Sequence, residues 1–391
     1  MTRAAGSTPT ASEHAKPLKV VLVVGARPNY MKAAPLYNVL RCSPGFEPML
    51  VHTGQHYDAQ MSKVFFDDLQ MPKPDVYLGV GSGSQAVQTA NVMIGFEKVL
   101  LDHSPDWVVV FGDVNSTIAC ALDAVKMGIK VAHVEAGLRS RDHSMPEEIN
   151  RILTDSISDI LFTPSPDANK NLLGEGVPPA KIEFVGNIMI DTLRQYESVA
   201  AQSNILKKIS VLPKGYGLVT LHRPSNVDNP AQLSEILDAL DAVQKKLPLV
   251  FPMHPRSRKM IAEHNLEQRV NGMRNLKIEE PIGYLDFLKL QKNALLVLTD
   301  SGGIQEETTA LGVPCLTIRE NTERPITVEE GTNVLVGLDK TRIVDECERI
   351  LRGESKTGRI PALWDGHTAE RIVEVFSRGT NLADSNGRKA V

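Results

Sequence analysis

The sequence has little of what marks the specialised protein classes. Among its 391 residues are four cysteines, Cys42, Cys120, Cys315 and Cys347, widely spaced and with no CxxC pair. That excludes a disulfide framework and a cysteine-based zinc site, and reads as buried free thiols in a reducing compartment. No apolar run approaches the ~18 residues of a membrane-spanning helix; the longest, such as 107–111 and 294–298, are far shorter. Neither sign of charge dominates: 43 Lys and Arg against 47 Asp and Glu leave a net charge of −4. This argues against a dedicated nucleic-acid binder. The turns GxGxxG and GxxxxGK[ST] are absent, as is HExxH spacing, so no dinucleotide, P-loop or helical zinc site is expected. Residues 1–17 are rich in Ala, Ser and Thr without the apolar core of a secretory signal. They read as a tail, as do 380–391. The expected location is the cytoplasm, with no membrane contact.

What is present is ordinary and sufficient: 42% apolar and 23% charged residues, in a chain long enough for two cores. Short apolar runs at 19–24, 48–53, 107–111, 130–134 and 160–163 alternate with amphipathic ones such as 116–127 and 146–156. The alternation restarts with 217–221, 248–252, 276–279, 295–299, 313–318 and 333–336, and with helices at 231–245 and 302–311. Runs apolar on both faces belong to covered parallel sheets. The expected fold is therefore α/β, two Rossmann-like doubly wound domains facing a cleft. The first is expected over 18–200 and the second over 201–366, with a helix at 367–379 returning to complete the first.

The candidate chemistry lies where these strands end. The first strand runs into Gly25-Ala26-Arg27-Pro28-Asn29-Tyr30-Met31-Lys32, a glycine turn followed by cations that suit an anionic group. Phe111-Gly112-Asp113-Val114-Asn115-Ser116 ends another; Asn115 or Ser116 reads as a helix cap, and Asp113 is the candidate at the sheet edge. His133-Val134-Glu135-Ala136-Gly137-Leu138-Arg139 and Met145-Pro146-Glu147-Glu148-Ile149-Asn150-Arg151 follow. Neighbouring helical positions point about 100° apart, so one of Glu147 and Glu148 is expected to join Asp113 and Glu135. Carboxylates sharing a pocket push their pKa values apart, as acid–base chemistry needs. In the second half His222-Arg223-Pro224 and His254-Pro255-Arg256 close strands. The densest signal is Thr299-Asp300-Ser301-Gly302-Gly303-Ile304-Gln305-Glu306-Glu307. Its bare glycines leave helix N–H groups open to phosphates, and Glu306 or Glu307 suits a ribose diol. The segment Arg319 to Pro325, with Arg324, adds cations. The pattern is a nucleoside diphosphate site facing a carboxylate-rich one.

Over roughly 19–376 the segments GARPNYMKAAPL, FGDVNST, HVEAGLR, MPEEINR, TDSGGIQEE and TERP, in that order, resemble the non-hydrolysing UDP-N-acetylglucosamine 2-epimerases. The resemblance implies a GT-B fold with a UDP-sugar in the interdomain cleft, a homodimer, and no metal or other cofactor. It implies loss of the C2 proton and of UDP to give 2-acetamidoglucal. UDP then adds back with protonation of the opposite face, yielding UDP-N-acetylmannosamine. By the same resemblance Asp113, Glu135 and Glu147 are the acid–base residues, His222 sits near the diphosphate, and Arg27 and Lys32 are catalytic cations. Arg27, His222, Phe287, Ser301, Gly302, Gly303, Glu307 and Arg319 form the implied substrate-binding set.

Many members also bind UDP-GlcNAc as an activator, partly through glutamines. Gln55 retains one, the next aligns with Asp58 and a later one falls near Gly83, while Arg223 and His254 remain; activation is left open. TGQHYD and MPEEINR are also similar to relatives acting on UDP-2,3-diacetamido-2,3-dideoxy-glucuronic acid, whose extra carboxylate would need Arg139, Arg141 or His143. A GT-B glycosyltransferase is a further alternative, though it would not require three carboxylates. A sensor without turnover would lack an acid–base residue, and none of the matched ones is missing.

Overall fold

The valine-rich run at the start of the chain becomes the strand around which the first sheet is wound. The computed structural model describes residues 16–55 and 73–386; most of the expected tail 1–17, the end of the tail at 380–391, and Asp58 lie outside these residues. The first half runs β1 (Leu18–Val24), α1 (Arg27–Cys42), β2 (Phe46–His52), β3 (Val76–Tyr77), α2 (Gln85–His103), β4 (Trp107–Phe111) and α3 (Asn115–Lys126). It continues with β5 (Lys130–Val134), α4 (Pro146–Ile157), β6 (Ile160–Thr163), α5 (Pro166–Gly174), β7 (Ile182–Phe184) and α6 (Ile188–Ala200). The second half runs α7 (Ile205–Lys208), β8 (Gly217–Thr220), α8 (Pro224–Val227), α9 (Pro230–Gln244), β9 (Leu249–Pro252), α10 (Pro255–Glu263), α11 (Glu267–Asn271) and β10 (Leu276–Glu279). Then come α12 (Tyr284–Asn293), β11 (Leu296–Thr299), α13 (Gly302–Leu311), β12 (Cys315–Thr317), α14 (Pro325–Glu329), β13 (Asn333–Leu335), α15 (Lys340–Leu351) and α16 (Thr368–Asn386).

Every strand pair is parallel, in the orders β3-β2-β1-β4-β5-β6-β7 and β10-β9-β8-β11-β12-β13. The order reverses between β1 and β4 in one sheet and between β8 and β11 in the other. Crevices open at those points beyond the strand C-termini. Helices cover both faces, so the strands are buried on both: Val20, Leu22 and Val24 face one core, Val21 and Val23 the other. Many helices begin at a proline, among them those opened by Pro146, Pro166, Pro230, Pro255 and Pro325. Its missing N–H costs nothing in the first turn and its fixed φ suits the helix.

The edge strands β3 and β7 are absent from the sequence reading, because two or three residues carry no periodicity. Cys42 departs from the expectation of four buried thiols: it is exposed, as the last residue of α1, while Cys120, Cys315 and Cys347 are buried.

The chain returns to the first half at its end. Trp364 is buried and its indole N–H donates to the Pro164 carbonyl at 2.8 Å. Phe376 packs on Trp107 and Phe162, with ring centroids 5.2 and 5.6 Å away. Helix α16 runs past the expected end at 379. Helix α6 lies between the halves, touching α1 and α16 on one side and α12 and α13 on the other. Its Asp191 accepts from the Ala369 N–H at 2.7 Å and so caps α16.

Burial pushes the Asp191 carboxyl up from 3.8 to about 6, against the pull of the Ala369 N–H. The folded chain therefore holds a proton that the unfolded chain has released, and stability falls as pH rises from about 4 to about 6. Asp191→Asn keeps an oxygen for Ala369 and removes the charge. Thermal unfolding should find it more stable than the parent above pH 7, by on the order of 2–3 kcal/mol, and equal to it at pH 4. A midpoint lowered at both pH values would contradict this account.

Candidate active site

Two sharp turns set the first-half groups. After β4 the chain turns at Gly112, whose φ of +62° favours glycine and where a Cβ would lie 2.9 Å from Lys32 Nζ. Asp113 follows and takes Arg151 Nη2 at 2.5 Å. Burial pushes its carboxyl up, but Arg151, Lys32 and Arg324 outweigh this and hold it below its ordinary value. After β5, Glu135 itself has φ +73°, a conformation that a non-glycine residue adopts at a cost and that recurs at functional sites. Its buried carboxylate pairs with Lys32 through one oxygen and with Arg324 Nη2, at 2.7 Å, through the other. Lys32 reaches it from the second turn of α1, which Arg27 opens; the side chain of Arg27 lies outside the described part.

The acidic pair at the start of α4 divides as the helix phase requires. Glu148 is inward and buried, accepting from the Ser140 and Arg141 N–H groups at 2.9 Å each and from Arg151 at 2.7 Å. Glu147 is exposed. The inward member thus braces the loop before its own helix, and the contacts of the cleft do not include Glu147.

In the second half, β8 and β11 end side by side. The His222 Nδ1 lies 2.8 Å from Asp300 Oδ1, and Asp300 Oδ2 accepts from the His222 and Arg223 N–H groups at 2.9 Å. Asp300 is fully buried; burial pushes it up, but His222 and the backbone N–H groups bring it below its ordinary value. The imidazole is thereby oriented, leaving Nε2 for whatever occupies the adjoining cavity. That cavity measures about 310 Å³ and is lined by His222, His254, Phe287, Ser301, Gly303 and Glu307 among others. Helix α13 points its N-terminus there. Ser301 makes no side-chain cap, and a Cβ on Gly303 would meet nothing within 4 Å, so a ligand can approach the backbone closely. Tyr284 donates to Glu307 at 3.2 Å, which aims that carboxylate.

Within the cleft one guanidinium pairs with carboxylates of both halves. Arg324 pairs with Glu135 of the first half at 2.7 Å, and with Glu306 and Glu323 of the second at 2.9 and 2.8 Å. It lies so close to α13 that a Cβ on Gly302 would come within 2.5 Å of it. Glu323 also pairs with Arg319 at 2.8 Å and Arg223 at 3.0 Å, and approaches Arg151 at 4.0 Å. Burial pushes Glu323 up, but these four cations hold it far below the usual carboxylate range. Glu306 goes the other way, pushed up to about 7 by burial and by Glu135 in spite of Arg324 and Lys32.

Sequence reasoning singled out Asp113, Glu135, Lys32, His222, Phe287, Ser301, Gly302, Gly303 and Glu307, and the structure brings these to the cleft. It does not bring Arg319 to the cavity, because Glu323 and Asn321 engage that guanidinium. Arg139 is likewise engaged, by Asp155 and Glu175 at 2.7 Å each; with Arg141 and His143, both exposed, it lines a separate cavity of about 340 Å³. Gln55 accepts from Ser116 and anchors the start of α3. The residues whose roles were missed are the connectors Arg151, Asp300 and Glu323, while Glu306 and Arg324, read as ligand contacts, pair with each other.

Comparison with known proteins gives one family. The family model described as UDP-N-acetylglucosamine 2-epimerase matches residues 38–377. The UDP-N-acetylglucosamine 2-epimerase of Methanocaldococcus jannaschii is 43% identical over 367 residues, 93% of this chain and 100% of that one. Its crystal structure in complex with UDP-GlcNAc and UDP matches with a TM-score of 0.86 over 92% of this chain and 100% of that one. The UDP-2,3-diacetamido-2,3-dideoxy-D-glucuronate 2-epimerase of Pseudomonas aeruginosa is 39% identical, covering 92% of this chain and 100% of the relative.

Arg324→Met tests the shared guanidinium. It preserves much of the side-chain volume but leaves Glu135, Glu306 and Glu323 without their common cation, a loss of about 3–5 kcal/mol for a broken buried pair. Urea unfolding measures it, and adding Glu306→Gln should recover part of the loss. A single variant within 1 kcal/mol of the parent, about the cost of an exposed pair, would show that the cluster is not a buried network.

Proposed function

The chain belongs to the UDP-N-acetylglucosamine 2-epimerase family, and we propose that it interconverts UDP-N-acetylglucosamine and UDP-N-acetylmannosamine by eliminating UDP and adding it back. The observation that carries this reading is the pair of buried-edge carboxylates, Asp113 and Glu135, set opposite an oriented histidine and an open helix N-terminus across one cleft.

The roles follow from the chemistry of each group. Uracil stacks against the apolar wall that includes Phe287, the ribose diol binds Glu307, and the diphosphate lies on the N–H groups of Ser301, Gly302 and Gly303. One carboxylate of the Asp113–Glu135 set takes the C2 proton. The C1–O bond breaks with its electrons leaving on UDP, and C1 and C2 become doubly bonded in 2-acetamidoglucal. The growing negative charge on the leaving phosphate meets the helix N-terminus and His222, whose ring Asp300 orients. UDP then returns to C1 while a carboxylate on the other face protonates C2. Two faces need two proton-transfer groups, which Asp113 and Glu135 supply, with Glu147 as the third candidate by resemblance. Lys32 pairs with the Glu135 carboxylate, and Arg27 adds positive charge for the diphosphate.

A second substrate, the diacetamido glucuronate derivative, is favoured by the Pseudomonas aeruginosa relative. The three cations considered for its extra carboxylate, Arg139, Arg141 and His143, line the separate cavity. We also read the enzyme as cytoplasmic, on the four free cysteines that a reducing compartment maintains.

Proton NMR in D₂O with each UDP-sugar tests the reaction. Deuterium entering at C2 together with the epimer is the expected result. Glu135→Gln and Asp113→Asn should each slow this by about a hundredfold or more while still binding UDP. Normal epimerisation by either variant would remove that residue from the mechanism.

We further propose a homodimer. On α2, Val87, Ile94 and Leu101 are exposed at intervals of seven, and on α4 Ile149 and Leu153 are exposed four apart. Both helices flank the buried α3, so these side chains form an apolar face on one helix layer. Sedimentation should give a dimer, and Ile94→Glu with Leu101→Glu should give a monomer. A monomeric parent protein would sink this assignment.

A further inference from the structure

His133 is wholly buried at the end of β5 and has no part in the reaction as described. Its ring is held at both nitrogens: Nδ1 lies 2.7 Å from Asp155 Oδ1 and Nε2 lies 2.8 Å from the Gly112 carbonyl oxygen. A carbonyl can only accept, so Nε2 carries a proton. Asp155 takes Arg139 and the Gly137 N–H on its other oxygen, at 2.7 and 3.1 Å. Burial pushes Asp155 up, but His133 and Arg139 bring it below its ordinary value. An ionised carboxylate also only accepts, so Nδ1 carries a proton too.

The partners of this ion pair are the two turns of the active site. The carbonyl that His133 holds belongs to Gly112, the residue before Asp113. The N–H that Asp155 holds belongs to Gly137, two residues after Glu135. Both turns depend on left-handed residues, Gly112 at φ +62°, Glu135 at +73° and Gly137 at +79°. A Cβ on Gly137 would strike the Ala168 carbonyl oxygen at 2.6 Å, so that turn has no room to shift.

We propose that His133, as a buried imidazolium on Asp155, is a positioning residue that fixes the turn carrying Asp113 relative to the turn carrying Glu135. This rests on the reading of those two carboxylates as the acid–base pair. The pair touches no reacting atom. It sets the separation of two groups that must address opposite faces of one carbon, where an error of 1 Å costs about a hundredfold in rate.

The test uses the full-length enzyme with ¹⁵N-labelled histidine, His133→Gln serving to assign the signal. At the assay pH, ¹⁵N shifts of His133 should report protons on both ring nitrogens, and Asp155→Asn should abolish that signature. A neutral ring in the parent enzyme would overturn the proposal without any activity measurement. Kinetically, His133→Gln and Asp155→Asn should each lower kcat about ten- to a hundredfold with KM for UDP-GlcNAc within about threefold. A kcat within twofold of the parent in either folded variant would also overturn it. Failure of the underlying reading looks different: Glu135→Gln would epimerise normally while the imidazolium signature persisted.

Discussion

Arg324 is the group on which the rest of the cleft depends. A single buried guanidinium holds one carboxylate from the first half and two from the second. Such a cation is tolerable only when paired, and each of its partners is tolerable only while it stays. The demand propagates. Glu323 must carry Arg319 and Arg223 as well, Arg151 must serve both Asp113 and Glu148, and Lys32 must match Glu135. The glycines are part of the same constraint, since side chains at Gly112 and Gly302 would collide with Lys32 and Arg324. Closure of the cleft is thus written in charge balance rather than in apolar contact alone.

This arrangement explains why a strongly anionic leaving group can be handled in a site already rich in carboxylates. Asp113 and Glu135, the acids proposed to face the sugar, are matched by Arg151, Lys32 and Arg324. In the proposed reaction the nucleotide side relies on backbone N–H groups and an oriented imidazole, which add positive potential without another buried full charge. Glu306 and Glu307 are adjacent in sequence and divide this labour. One faces Arg324 and the other faces the cavity beside Tyr284.

The fold was legible because parallel strands buried on both faces are nearly pure Val, Leu, Ile and Phe, and because prolines mark so many helix starts. The edge strands β3 and β7 were not, being too short to show a period. Site residues directly after strands were legible for a related reason: topology alone sends them to the crevice. Their partners were not. Arg324 and Glu135 are 189 residues apart, and no local pattern announces such a pairing. The sequence could narrow Glu147 and Glu148 to one inward residue, but only packing against the loop at Ser140 and Arg141 chose between them. Arg319 was misplaced because a cation near a strand end looks the same whether it meets a ligand or a glutamate.

The return of the chain to its first half has a bearing on how the protein is made. Trp364, Ile372 and Phe376 belong to the same core as Val20, Leu22 and Phe162. During synthesis, at roughly 5–20 residues per second, the first sheet can pair its strands early. Its core nevertheless stays open until the last helix leaves the ribosome, after the whole second half has been made. The first half is thus the earlier to begin folding and the later to finish, and its exposed apolar face is the surface that a chaperone would meet in the interval.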